Sequence, residues 1–259
     1  MPRFAANLSL MFTEVSFLDR FDAARGNGFE AVEFLFPYAY PACAIADRLA
    51  RARLKLVLHN LPAGQWEAGE RGMACDPHRV AEFRDSVALA IAYASALGVN
   101  QLHCLSGLLP AGVAPALAHQ TLVANLRYAA RCLDLHGMRL LIEPINTADM
   151  PGYFLTSSAQ AAAVIADCGV DNLFMQCDLY HLQRMGEDLA HSLRAWLPLI
   201  RHIQVADTPG RHEPGTGNID FRALFALLDE LGYDGWVGCE YHPRAGTVAG
   251  LGWRRALLD

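Results

Sequence analysis

Behind its first apolar run, Arg3–Leu10, the chain reads Asn7-Leu8-Ser9-Leu10-Met11. A doubly wound dinucleotide-binding sheet carries Gly-x-Gly-x-x-Gly at this turn, because glycine lets the backbone approach a pyrophosphate closely. The stretch has no such glycines and argues against that fold. Working outward, seven further short runs rich in β-branched or aromatic residues follow: Ala31–Phe36, Leu54–His59, Val99–Leu105, Arg139–Glu143, Leu173–Asp178, His202–Ala206 and Trp236–Tyr241. Between them, apolar residues recur at spacings of three and four, as in Leu122, Leu126, Ala129 and Leu133. Gly28, Gly98, Gly137, Gly169 and Gly232 stand where such helices would stop. Eight strand–helix units with right-handed crossovers predict one (β/α)8 TIM barrel over residues 1–259.

Composition agrees with that reading. Of 259 residues, 53% are hydrophobic and 19% charged, which excludes a disordered chain. No run is long and apolar enough for a membrane span. The net charge of −6 lacks the basic excess of a nucleic-acid binder. Seven scattered cysteines without Cys-x-x-Cys, and an N-terminus without a signal-peptide core, predict a cytoplasmic protein with free thiols. The longest loop, NLPAGQWEAGERGMACDP from Asn60 to Pro77, is expected to form a lid or wall. The Ala-rich helix near residue 90 is available for a homo-oligomeric contact, although a helix facing its own barrel would look the same.

In a barrel, chemistry sits at the C-terminal ends of the strands. There the last four strands present Glu143, Asp178, Gln204 and Glu240, separated by 35, 26 and 36 residues, roughly one βα unit each. A single acid at a strand end more often caps a helix or bonds a loop. Four polar groups in register point to a shared site. Three converging carboxylates in an apolar mouth repel one another, and a divalent cation resolves the conflict. Three carboxylates with one amide oxygen are a hard, oxygen-only donor set suited to Mg²⁺ or Mn²⁺. His59, His181 and Arg211 are candidates for binding a substrate, with Arg211 able to clamp a carboxylate. Glu70 and Arg71 are weaker candidates, and the histidines at 78, 103, 119, 136, 191, 202 and 242 are expected to have no role.

The motifs FAANLSLMF, GFEAVEFLFPY, LHNLPAGQWEAGERGMAC, IEPIN, QCDLYHLQRM, HIQVADTPGRHEPGTGNI and GWVGCEY occur in this order along essentially the whole chain. By them the chain resembles the hydroxypyruvate isomerases, a branch of the xylose isomerase-like barrels. The resemblance implies Glu143 and Glu240 as the catalytic pair, with Glu143, Asp178, Gln204 and Glu240 around a metal. Gln204 stands where related sugar epimerases carry histidine. The implied reaction interconverts hydroxypyruvate and 2-hydroxy-3-oxopropanoate through an enediolate, with a hydride shift as the other route. Sister activities on such a site are 2-oxo-tetronate isomerisation and keto-sugar 3-epimerisation. A non-catalytic sugar-acid binding protein is the alternative of a different class.

Overall fold

The computed structural model describes residues 2–258. Eight parallel strands close on themselves in sequence order: β1 (Arg3–Asn7), β2 (Ala31–Phe34), β3 (Lys55–Asn60), β4 (Gln101–His103), β5 (Arg139–Ile142), β6 (Leu173–Asp178), β7 (Ile200–Val205) and β8 (Trp236–Cys239). β1 pairs with both β2 and β8, which seals the barrel. All eight expected strands are present, and most are shorter than the apolar runs that announced them. β1 stops at Asn7 because its carbonyl accepts the N–H groups of Leu10 and Met11, while its side chain accepts that of Ser9. The stretch that argued against a dinucleotide fold is therefore a tight turn at the C-terminal end of β1.

Helices cover the barrel wall and bury the stripes their spacing predicts. In Pro115–Asp134, Leu122, Leu126, Ala129 and Leu133 are all fully buried. Helix Val80–Leu97, the Ala-rich one, turns Phe83, Val87, Ala90, Ile91, Ala94 and Leu97 inward, so its apolar content serves its own barrel. It ends at Gly98 in the left-handed conformation, where any side chain would be strained. The barrel interior holds a small plug of Ala5, Ala31, Val57, Leu58 and Leu141. Above this plug, at the C-terminal mouth, the interior turns polar. No helix among the described residues is long and apolar enough to cross a membrane.

Candidate active site

The acids reach the mouth from successive strands. Asp178 is the last residue of β6, and Glu143 and Glu240 follow β5 and β8 directly. Asp178 does cap the next helix, its Oδ1 accepting the Tyr180 N–H at 2.9 Å, but its other oxygen faces the site. Glu143, Asp178, His181 and Glu240 each offer one ligand atom, and these atoms lie within 4.8 Å of one another. All four are buried. A cavity of about 260 Å³ opens onto Glu143, His181, Arg211 and Glu240. Its walls include Leu35, Leu105, Ile145 and Met150.

One cation among the described side chains answers these charges. Arg211 Nη2 donates to Glu240 Oε2 at 2.6 Å and lies 3.5 Å from Asp178 Oδ2. It also lies 3.4 Å from His181 Nε2. Its guanidinium stacks on Tyr180, and its Nε is buried without a partner. One positive charge does not balance three buried carboxylates. Burial first, then repulsion from Glu240 and Asp178, raises the Glu143 carboxyl well above the usual range. Burial pushes Glu240 up to about 8, with Arg211 pulling down and Asp178 and Glu33 adding repulsion. Burial raises Asp178 to about 6 against the opposing pull of Arg211. Burial works against the Arg211 charge, yet Glu240, Asp178 and Glu143 outweigh it and hold the guanidinium more firmly protonated.

His181 is neutral, since burial and then the Arg211 charge hold it well below its ordinary value. Its tautomer follows from Asn146. The Asn146 Oδ1 accepts the N–H groups of Ala148 and Asp149, which turns Nδ2 toward His181 Nδ1 at 2.6 Å. A ring nitrogen that accepts leaves the proton on the other one. His181 Nε2 is thus a donor, 3.6 Å from Asp178 Oδ2. In this state it can donate to Asp178 or to an oxygen that enters the cavity.

The other expected residues divide. Gln204 lies beneath the acids: its oxygen accepts from Gln176 Nε2 and its nitrogen donates to Glu33, both at 2.7 Å. The oxygen expected to face a metal is turned to Gln176. His59 does not line the cavity. Its ring packs on Phe34 and Tyr38, its Nδ1 lies 3.1 Å from the Asn60 carbonyl, and burial lowers its pKa to about 4. The long loop forms a wall, with Trp66 lining the cavity and Arg71 stacked on that indole at 4.1 Å. Glu70 pairs with Arg79 and props the same loop.

Three histidines expected to be idle are part of the site: His242 lines the cavity, and His103 and His202 meet its acids. His103 Nε2 lies 3.5 Å from Glu143 Oε2, and burial lowers the ring to about 3. His202 Nε2 meets Glu33 Oε2 at 2.5 Å. Glu33 and Asn7 escaped the sequence reading, which looked to strand ends and took Glu143, Asp178, Gln204 and Glu240 from strands five to eight and His59 from strand three. Their signal was a charged or amide group inside an otherwise apolar run, as in Ala31-Val32-Glu33-Phe34.

A closed parallel barrel with acids converging at its C-terminal mouth defines the class: the family model for the xylose isomerase-like TIM barrel matches residues 21–257. Hydroxypyruvate isomerase of Escherichia coli (strain K12) is 51% identical over 253 residues, covering 98% of each chain. A 2-oxo-tetronate isomerase of Cupriavidus necator is 48% identical over 258 residues, covering 100% of this chain and 99% of its own. A crystal structure described as an AP endonuclease of family 2 from Brucella melitensis superposes with a TM-score of 0.96 at 46% identity, covering 99% of both chains. Within the xylose isomerase-like barrels, the chain belongs to the hydroxypyruvate isomerase family.

Proposed function

We propose that this protein interconverts hydroxypyruvate and 2-hydroxy-3-oxopropanoate, with Glu143 and Glu240 as its acid/base pair. The observation that carries the reading is two buried glutamates facing one small cavity, both held with raised proton affinity. An aldose–ketose shift needs just such groups, since one must take a proton from carbon and the other must return one. One glutamate takes the proton from C3, which bears the hydroxyl. The other delivers a proton to C2, while the hydroxyl proton passes from O3 to O2. Arg211 and His181 supply donors for the substrate carboxylate and its neighbouring oxygen. His59 supports Asn60, which lines the cavity, from behind.

The donor set fits a hard divalent cation. Three carboxylates converge, and Glu143 Oε1 is buried with no partner. Glu143, Asp178 and Glu240 would hold Mg²⁺ or Mn²⁺, while both ends of the Gln204 amide are bonded elsewhere. Such an ion would polarise the substrate oxygens and stabilise negative charge developing on them.

The small volume of the cavity, about 260 Å³, favours a short acid over a keto-sugar. A one-carbon-longer substrate is the second reading, favoured by the 2-oxo-tetronate isomerase relative at 48% identity. A net charge of −6 speaks against a nucleic-acid substrate. Seven free cysteines, five of them buried, suit a reducing cytoplasm.

Proton NMR with hydroxypyruvate in deuterated buffer, with chelator or with Mg²⁺ or Mn²⁺, tests the proposal. The expected result is 2-hydroxy-3-oxopropanoate carrying solvent deuterium at C2. Product without deuterium would replace proton exchange with a hydride shift or a shielded proton. No product under any metal condition, with turnover of 2-oxo-tetronate, would move the assignment to the longer acid. Binding of both acids with turnover of neither would leave a binding protein.

A further inference from the structure

Below the two glutamates lies a buried polar hub that the reaction scheme does not use. Glu33, on β2, is 1% exposed and accepts three hydrogen bonds. Its Oε1 takes Asn7 Nδ2 at 2.9 Å and Gln204 Nε2 at 2.7 Å, and its Oε2 takes His202 Nε2 at 2.5 Å. Each amide leads upward. Asn7 Nδ2 also donates to Glu240 Oε1 at 3.2 Å. Gln204 turns its oxygen to Gln176 Nε2, and Gln176 lines the cavity together with Glu143.

We propose that Glu33 is a positioning residue for both catalytic glutamates: it holds Glu240 through Asn7, and through Gln204 it sets the Gln176 amide that lines the cavity beside Glu143. The inference rests on the acid/base roles given above. A buried carboxamide has two orientations of nearly equal shape, and its partners decide between them. An acceptor at position 33 turns the NH₂ ends of Asn7 and Gln204 toward itself. Gln204 must then present oxygen to Gln176, which commits one N–H of Gln176. Asn7 is held from both ends, because its Oδ1 also accepts the Ser9 N–H. Gln204 is held by Glu33 and by Gln176 Nε2; without Glu33 the two amides can turn together, so loss of Glu33 falls first on the arm to Glu143.

The fold makes room for this hub. A Cβ on Gly238, the β8 residue paired with Gln204, would lie 2.3 Å from Glu33 Oε2. Only glycine admits the carboxyl there, so the space is built for an acid rather than left over from packing.

The test compares Glu33→Leu and Glu33→Gln by kinetics and by hydrogen exchange of the Asn7, Gln176 and Gln204 side-chain amides. Glu33→Leu should lower kcat about 10- to 100-fold, and KM should change less than about threefold, as expected for a transition-state effect. Glu33→Gln should recover most of that loss. Its oxygen can still accept both amides, and His202, whose Nδ1 is without a partner, can change tautomer to accept at Nε2. The Gln204 amide should be protected in the wild type and in Glu33→Gln, and exposed to exchange in Glu33→Leu. Unchanged kcat and unchanged protection in Glu33→Leu would overturn the proposal. A loss of kcat that Glu33→Gln does not restore would overturn it too, by reducing Glu33 to a general packing role. If the wild type turns over neither acid, the assigned reaction fails, and amide protection alone decides for or against the hub. If Glu33→Leu does not fold, Gln204→Met cuts only the arm to Glu143. It should lower kcat and release the Gln176 amide while Asn7 stays protected, and no change in either would overturn the proposal.

Discussion

Glu143, Asp178 and Glu240 bring three carboxylates into a mouth where one guanidinium, that of Arg211, answers them. The two glutamates differ in their partners. Glu240 is bonded to Arg211 and Asn7, whereas Glu143 keeps one oxygen without any partner beside His103. Glu143→Gln and Glu240→Gln keep shape and remove proton transfer. Each is expected to lower kcat at least about 10²-fold, with circular dichroism and the thermal midpoint close to wild type. Near-normal turnover in either variant would remove that residue from the acid/base pair. These acids were legible in the sequence because a charged group ending an apolar strand is costly and conspicuous. Glu33 and Asn7 were not, since their meaning lies in partners more than 20 residues away, on strands no local pattern connects.

At the scale of elements, the loop after β7 shows how the barrel delivers Arg211. The Asp207 carboxylate accepts four backbone N–H groups, from Thr208, Gly215, Gly217 and Ile219, between 2.8 and 3.0 Å. It gathers the loop around itself. Arg211 stands in the left-handed region at φ 54°, an uncommon conformation for a side chain of its kind, and its N–H bonds the Asp207 carbonyl. At Gly217 a Cβ would fall 1.8 Å from the Thr208 carbonyl, so that position closes the loop only as glycine. Asp207→Ala frees four donors and loosens the element that carries Arg211. It should lower kcat/KM about 10²-fold, as misplacement of a positioning group does, while the barrel still folds. Unaltered kcat/KM would show that Arg211 is placed without the Asp207 anchor. The sequence marked this loop by its density of glycine and proline. The eight strands were legible for a simpler reason, the burial of both faces, and their ends were not, because turns such as that at Asn7 depend on side-chain bonds.

For the molecule as a whole, the polar mouth makes stability depend on pH from two sides. His59 and His103 are buried neutral, lowered from 6.5 to about 4 and about 3. The unfolded chain binds protons at these residues first, so their contribution is complete above pH 6.5 and is lost as pH falls through about 4 for His59 and about 3 for His103. For His59 alone the span corresponds to about 3 kcal/mol. The acids act in the opposite sense. Glu240 is raised from 4.5 to about 8 and Asp178 from 3.8 to about 6. Their folded forms hold protons that the unfolded chain has released, so stability present below pH 3.8 is lost as pH rises toward 8. Calorimetry of chelated protein should therefore find a maximum in the thermal midpoint on the weakly acid side of neutrality. Mg²⁺ or Mn²⁺ needs these carboxylates ionised, and its binding releases their protons. Added cation should raise the midpoint more at pH 8 than at pH 6, and titration calorimetry in buffers of different ionisation enthalpy should register proton release. Equal stabilisation at both pH values, with no proton release, would separate cation binding from Glu143, Asp178 and Glu240. The metal would then lie elsewhere, and Arg211 alone would balance the mouth during turnover.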